Sequence, residues 1–339
     1  MAIRTGRPSW WATRGVHAWF YLPLATVFLL ISTLRRFAWR SGCFRAESLD
    51  VPVIVVGNVA AGGSGKTPVV IWLAEALRQR GWTPGIISRG YGGRTQGATA
   101  VRPDSDPDHV GDEPVLISRR TGVPVWVGRD RPAAGRALLA VHPQVDVIIS
   151  DDGLQHYRLV RDVEIVVLDE RILGNTFPLP AGPMREPLRR VRDAHLVILH
   201  GESSARTQAA IGATPTARMS LAASHFYRLQ NPMERLDAEA LQPRVLKAVA
   251  GIGRPERFFE SLRALGLAPR DSRAFPDHHA FSARDLALDG ADALLMTEKD
   301  AIKCRTIAPE QTWVLPVDAH IDAAALDYIL ERLNGLEAT

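Results

Sequence analysis

Cysteine is almost missing from this chain: Cys43 and Cys304 are the only two in 339 residues, far apart, with no CxxC and no Cys/His ligand spacing. That excludes a disulfide framework and a zinc module, and it points to reduced thiols in a cytosolic compartment. No Lys/Arg stripe with interleaved aromatics occurs, so the net charge of +4 fits an anionic surface or a phosphorylated ligand, not nucleic acid. Internal repeats and low-complexity tracts are absent too. With 46% hydrophobic and 23% charged residues, the remainder is ordinary globular composition, long enough for two domains.

Charge is also missing from Gly15 to Leu34, which reads GVHAWFYLPLATVFLLISTL. The run is about 20 residues, roughly the length that crosses a bilayer core. Arg14 stands before it and Arg35, Arg36 and Arg40 after it. Trp10, Trp11, Trp19, Tyr21 and Trp39 sit near its ends, where amphipathic rings favour an interface. A membrane-associated helix over residues 1–45 is expected. Pro23 and His17 weigh against a span, so spanning and lying in the interface both stand. No small-residue cleavage site follows, which disfavours a signal peptide.

From Val51 the pattern changes. VPVIVVG, TPGIISRG, VPVWVG, VDVIISDDG, VEIVVLD and AHLVILHG are short apolar runs of buried-strand type. Helical patterns such as TPVVIWLAEALRQRG, DEPVLISRRTG and RPAAGRALLAVH lie between some of them, which predicts a parallel sheet covered by helices. A polar stretch from about Glu202 to Ser224 marks a boundary between a core over 46–222 and a smaller α/β domain over 223–339. In the latter, VLKAVAGIG, ALLMTEKD and TWVLPVDAHI read as strands, and PERFFESLRALG and DAAALDYILERL as helices.

Ala60-Ala61-Gly62-Gly63-Ser64-Gly65-Lys66-Thr67 lies between a predicted strand and a predicted helix, the context a P-loop requires. Its backbone N–H groups would wrap a phosphate chain at the helix N-terminus. Lys66 would reach the β- and γ-phosphates of ATP, and Thr67 would bind Mg²⁺. Ala60 departs from the usual glycine; Gly62 and Gly63 can supply the flexibility. Asp151 and Asp152, ending an apolar strand, are placed for Mg²⁺, although Asp-Asp-Gly is also good turn chemistry. The α/β fold expected is therefore a P-loop NTPase-type parallel sheet covered by helices.

GNVAAGGSGKTP, SRGYGG, GDEP, DDGLQHYRLVRD, LPAGPMREP, FPDHH and TEKDAIK follow one another from about Val51 to Lys303. As an ordered set they resemble the tetraacyldisaccharide 4′-kinases of lipid A biosynthesis. The resemblance implies ATP- and Mg²⁺-dependent phosphorylation of the 4′-hydroxyl of an acylated glucosamine disaccharide 1-phosphate, giving lipid IVA at the cytoplasmic face of the inner membrane. It also implies an N-terminal membrane helix and a P-loop that lacks the first glycine. Asp112 resembles the family's base, Glu113 its metal-side neighbour, and His278 the histidine paired with that aspartate. Read alone, Asp112 suits a helix N-cap, and His278 and His279 a surface pair. Gln155, His156, Arg185 and Glu186 fall in two further core motifs and read equally as a site or as an ion-pair and turn network. Neither a protein partner nor nucleic acid is expected. The alternatives are a membrane-associated P-loop switch, whose guanine form would carry NKxD where this chain has only TEKD, and a metal-chaperone-type nucleotide-binding module.

Overall fold

A computed structural model describes residues 8–223 and 225–337. The chain divides into two compact units. One contains Pro8–Ser220 and the segment from Ala319 onward; the other contains Leu221–Asp318. Between them the chain crosses after Ser220 and returns after Asp318, whereas the sequence expectation is a core over 46–222 and a smaller domain over 223–339.

In the larger unit the described residues form a nine-stranded sheet. Its strands are β1 (Val53–Gly57), β2 (Pro84–Ser88), β3 (Thr99–Val101), β4 (Val125–Val127), β5 (Val147–Asp151), β6 (Val163–Asp169), β7 (Leu196–His200), β8 (Thr216–Ala222) and β15 (Asp318–Ile321). They are ordered β15-β8-β7-β6-β1-β5-β2-β4-β3. The ladders from β8 through β4 are parallel, and the edge strand β3 runs antiparallel to β4. The sheet is therefore mixed, with the expected parallel core. Strands β1, β2, β5, β6 and β7 are buried along their whole length, which is why each reads as a continuous apolar run without alternation.

The helices of this unit are α1 (Val16–Phe20), α2 (Leu22–Arg40), α3 (Lys66–Gln79), α4 (Pro107–Val110), α5 (Asp112–Thr121), α6 (Arg131–Val141), α7 (Glu170–Leu173), α8 (Ala205–Ile211) and α11 (Ala323–Glu337). The apolar N-terminal run is broken at Tyr21, because Pro23 occupies the first turn of α2, where its missing N–H costs nothing. By length and composition α2 is apolar enough to cross a membrane, and its apolar window is only 6% buried. The stretch expected as a boundary, 202–224, contains α8 and β8 among its described residues. Ser204 caps α8 by accepting from the Thr207 N–H at 3.3 Å.

The other unit contains a six-stranded sheet ordered β10-β9-β14-β13-β11-β12. These are β9 (Phe226–Arg228), β10 (Arg235–Leu236), β11 (Leu246–Ala250), β12 (Asp271–Ala274), β13 (Ala293–Thr297) and β14 (Thr312–Leu315), with α9 (Pro255–Ala264) and α10 (Glu298–Cys304). TWVLPVDAHI, expected as one strand, is two: β14 belongs to this sheet and β15 to the larger one. Pro316 separates them, having no N–H to continue a ladder.

Candidate active site

β1 delivers the phosphate loop, residues 58–65, to the N-terminus of α3. Gly65 begins the helix at φ 93° and Gly62 lies at φ 119°, both in the left-handed region that glycine enters without a steric cost. At Gly65 space is limited as well: a Cβ would stand 3.0 Å from Met219 Cε and 3.5 Å from His200 Nδ1. Asn58, fully buried, braces the loop from inside. Its Nδ2 donates to the Gly62 carbonyl at 3.3 Å and to Ser64 Oγ at 3.2 Å. Ala60 and Ala61 are held along their backbone by the LPAGPMREP segment. Ala60 bridges Met184, and the Ala61 N–H donates to the Pro183 carbonyl at 2.8 Å. Gly62 and Gly63 are exposed.

Beside this loop stand Asp151, the last residue of β5, and Asp152 directly after it, and they are not equivalent. Asp151 is buried; one carboxylate oxygen accepts from Ser88 Oγ at 2.9 Å, and the other, Oδ1, has no hydrogen-bond partner. Burial, with Glu113 and Asp152 as like charges nearby, pushes its pKa up to about 6. Asp152 takes a left-handed turn at φ 47° and faces Lys66 Nζ at 3.5 Å and Arg185 at 3.1 Å. Burial acts to raise its pKa, but Lys66 and Arg185 outweigh it and hold the carboxyl at about 2. The arrangement thus has one buried carboxylate whose charge is only partly offset by Lys66 and Arg131, and one paired directly with Lys66 and Arg185.

Three residues that sequence reasoning missed support this edge: Ser88, Asn58 and Arg131. Ser88 and Asn58 lie inside motifs legible as SRGYGG and GNVAAGG. Arg131 carries no sequence signal; its guanidinium is fully buried, donating to the Asp151 carbonyl at 2.8 Å and to the Gly128 carbonyl at 3.4 Å.

Gln155, His156, Arg185 and Glu186 form one connected frame around the loop. Gln155 Nε2 donates to the Asn58 carbonyl at 3.0 Å and to Glu186 Oε1 at 2.9 Å. Tyr157 donates to Glu186 Oε2 at 2.6 Å, and Arg190 lies 3.4 Å from the same oxygen. His156 Nε2 accepts from the Arg131 N–H at 3.4 Å; burial, then the Arg131 charge, lowers its pKa to about 4, so the ring is neutral.

Asp112 is the first residue of α5 and is buried. The cap position is Gly111, at φ 96°, so the expected alternative of Asp112 as N-cap is off by one residue. Its Oδ1 accepts from the Glu113 N–H at 2.9 Å. A Cβ at Gly111 would meet the Tyr91 carbonyl at 2.8 Å, which is how the GYGG turn packs against GDEP. His278 lies in the smaller unit, after β12, at φ 59°. Its Nε2 is 3.5 Å from Lys299 Nζ, and Lys299 pairs with Asp277 at 3.2 Å. Among the described residues no group of three or more His, Cys, Asp or Glu side chains forms a metal cage. Such a donor set suits a Mg²⁺ held by one or two carboxylates together with nucleotide phosphates. The open oxygen of Asp151 fits that ion.

A P-loop set beside two carboxylates at the end of a central strand, in a sheet with a parallel core, defines a P-loop nucleotide-binding protein. The family model for tetraacyldisaccharide-1-P 4′-kinase matches residues 17–334, and the chain belongs to that family. A tetraacyldisaccharide 4′-kinase of Aromatoleum aromaticum is 52% identical over 96% of this chain and 97% of its own length. That of an Azoarcus species is 51% identical over 96% and 95%. Among solved structures, the "apo" form of LpxK from Aquifex aeolicus in complex with ATP superposes with a TM-score of 0.79 at 28% identity, covering 93% of this chain and 99% of that one. The chain is an ATP-dependent kinase of the lipid A precursor pathway, and membership of this family does not favour the switch reading.

Proposed function

We propose that Asp112 aligns the 4′-hydroxyl of a tetraacylated glucosamine disaccharide 1-phosphate for in-line attack on the γ-phosphorus of ATP and takes its proton, while the bond from the γ-phosphorus to the β–γ bridging oxygen breaks and ADP leaves. The observation that carries phosphoryl transfer is Asp152, just after β5, facing the phosphate-loop lysine Lys66 at 3.5 Å, and the role of Asp112 is supported by its burial at the first position of α5. Lys66 leaves Asp152 for the β- and γ-oxygens when nucleotide arrives. Thr67, Asp151, Asp152 and Glu113 would hold Mg²⁺, which when bound neutralises charge on those oxygens. Arg185 keeps Asp152 ionised, and the Gln155–Glu186 pair and neutral His156 hold the frame. The transition state is loose, so positioning carries most of the rate. A sugar hydroxyl is far less acidic than a carboxylic acid, so its proton moves late and Asp112 acts first as an aligner. His278, the first histidine of FPDHH, is the second catalytic residue of this reading, acting with Asp112 as the ordered motif set implies. The exposed apolar side chains of α2, including Leu24, Ile31 and Phe37, seat the enzyme on the cytoplasmic face of the inner membrane, with the acyl chains partly in the bilayer.

The test is transfer of labelled phosphate to the acylated disaccharide by Asp112→Ala, His278→Ala and the double variant. Asp112→Ala should cut kcat by about a hundredfold or more with the affinity for ATP kept, as for loss of a general base. The double variant should be no slower than Asp112→Ala. Multiplying losses would refute the pairing. A helix-end role for Asp112 would instead give a stability loss of about 1 kcal/mol with turnover intact.

A further inference from the structure

We propose that the apolar N-terminal segment positions the phosphate loop, with Asn175 and Arg36 as the positioning residues; this rests on the reading of 58–67 as the ATP-binding loop. The connector is the loop 175–186, which is bonded on two sides. Toward the N-terminus, Trp10 and Trp11 Nε1 donate to the Pro180 carbonyl at 3.3 and 3.0 Å. The Asn175 N–H donates to the Trp11 carbonyl at 2.7 Å. The Asn175 side chain is buried, and its Nδ2 reaches the carbonyls of Trp10 at 3.0 Å, Thr13 at 3.1 Å and Ala181 at 2.9 Å. One amide thus joins the segment before α1 to the body of the loop.

Toward the phosphate loop, the same connector donates from Arg185 N and Glu186 N to the Val59 carbonyl at 2.8 and 3.2 Å, and accepts from the Ala61 N–H at 2.8 Å. Bonds within it, Met184 N to the Phe177 carbonyl and Leu179 N to the Met184 carbonyl, both 3.0 Å, make it stiff enough to carry a displacement from one side to the other. A second thread runs from α2. Arg36 pairs with Asp193 and lies 3.9 Å from Glu186. Glu186 holds Gln155, Gln155 holds the Asn58 carbonyl, and Asn58 holds Gly62 and Ser64. Both threads end on phosphate-loop residues, so where the apolar segment sits sets the shape of the ATP site.

The experiment is equilibrium binding of MgATP to the full chain in non-ionic detergent, comparing Arg36→Gln, Arg36→Lys, Asn175→Ala, Gln155→Ala and the Arg36→Gln/Gln155→Ala double variant. Arg36→Gln and Asn175→Ala should weaken binding about fivefold, roughly 1 kcal/mol. Arg36→Lys should stay within about twofold of wild type, and the double variant should bind no more weakly than Gln155→Ala. Should Asn175→Ala fail to fold, the Arg36 variants still decide the matter, because Arg36 lies at a partly exposed edge. MgATP affinity unchanged in Arg36→Gln, with only the KM for the lipid acceptor raised, would overturn the proposal and leave the segment as a membrane anchor alone. The readout is nucleotide binding, so it is independent of which acceptor is phosphorylated.

Discussion

Asp152→Asn removes one charge from the centre of the site and little else. Asn tolerates the left-handed backbone that Asp152 adopts at φ 47°, so the turn is kept. What is lost is the attraction to Lys66 at 3.5 Å and Arg185 at 3.1 Å. A carboxyl held at about 2 against an ordinary 3.8 gives about 2 kcal/mol of stability at neutral pH by linkage. A third of the side chain touches solvent, and screening reduces this to about 1 kcal/mol. The folded pKa is depressed, so the contribution is fully present above pH 3.8 and is lost as pH falls through about 2. Denaturant melts of both proteins should therefore show a constant gap from pH 7 to about 5 that narrows below about pH 4. Function should move in two directions at once. Mg²⁺-free ATP should bind the variant at least as tightly as wild type, since a negative charge facing the phosphates is gone. The kcat with saturating MgATP should fall by about a hundredfold or more, because a candidate metal-side carboxylate is gone too. Weaker Mg²⁺-free ATP binding together with unchanged kcat would refute this account of the site.

Two further outcomes follow from buried groups. Glu164 accepts from Arg190 at 2.6 and 2.8 Å with both side chains buried, so Glu164→Gln should cost about 3–5 kcal/mol in a denaturation series; a loss under about 1 kcal/mol would mean that water reaches the pair. His156 is held neutral with a pKa near 4, so wild-type stability should decline as pH falls from 6.5 toward 4, and His156→Gln should flatten that decline in pH-dependent melts.

How much was legible in the sequence varied with the physics behind each element. Buried parallel strands announce themselves as apolar runs, and β1, β2 and β4 to β7 all lie where such runs stand. Edge strands have no such signal. β3 is three residues long, and β8 alternates over its first residues within a stretch whose polarity reads as linker. The Lys66–Thr67 helix start is a local backbone motif and could be read directly. The different environments of Asp151 and Asp152 could not, because they depend on Ser88, Arg131 and Arg185, brought in from β2, α6 and the 175–186 loop. Asn175 was invisible for the same reason: an asparagine in a Gly-Asn-Thr turn looks like turn chemistry until its amide is seen to gather three carbonyls from two segments.

The return of the last residues to the first sheet has a consequence for how the chain is made. β8 and β15 are neighbours in the sheet, yet residues 223–317 lie between them in sequence. Closing that gap with a floppy chain of roughly a hundred residues costs about 4 kcal/mol in loop entropy before any constant term. If the insert folds first, the gap is closed by an ordered unit and no longer by a floppy chain, and part of that cost is gone. Folding of the inserted unit is then a step toward completing the kinase sheet. The phosphate-loop half is synthesised well before α11, which packs on α3 and β6 and pairs Asp327 with Arg80 at 2.9 Å.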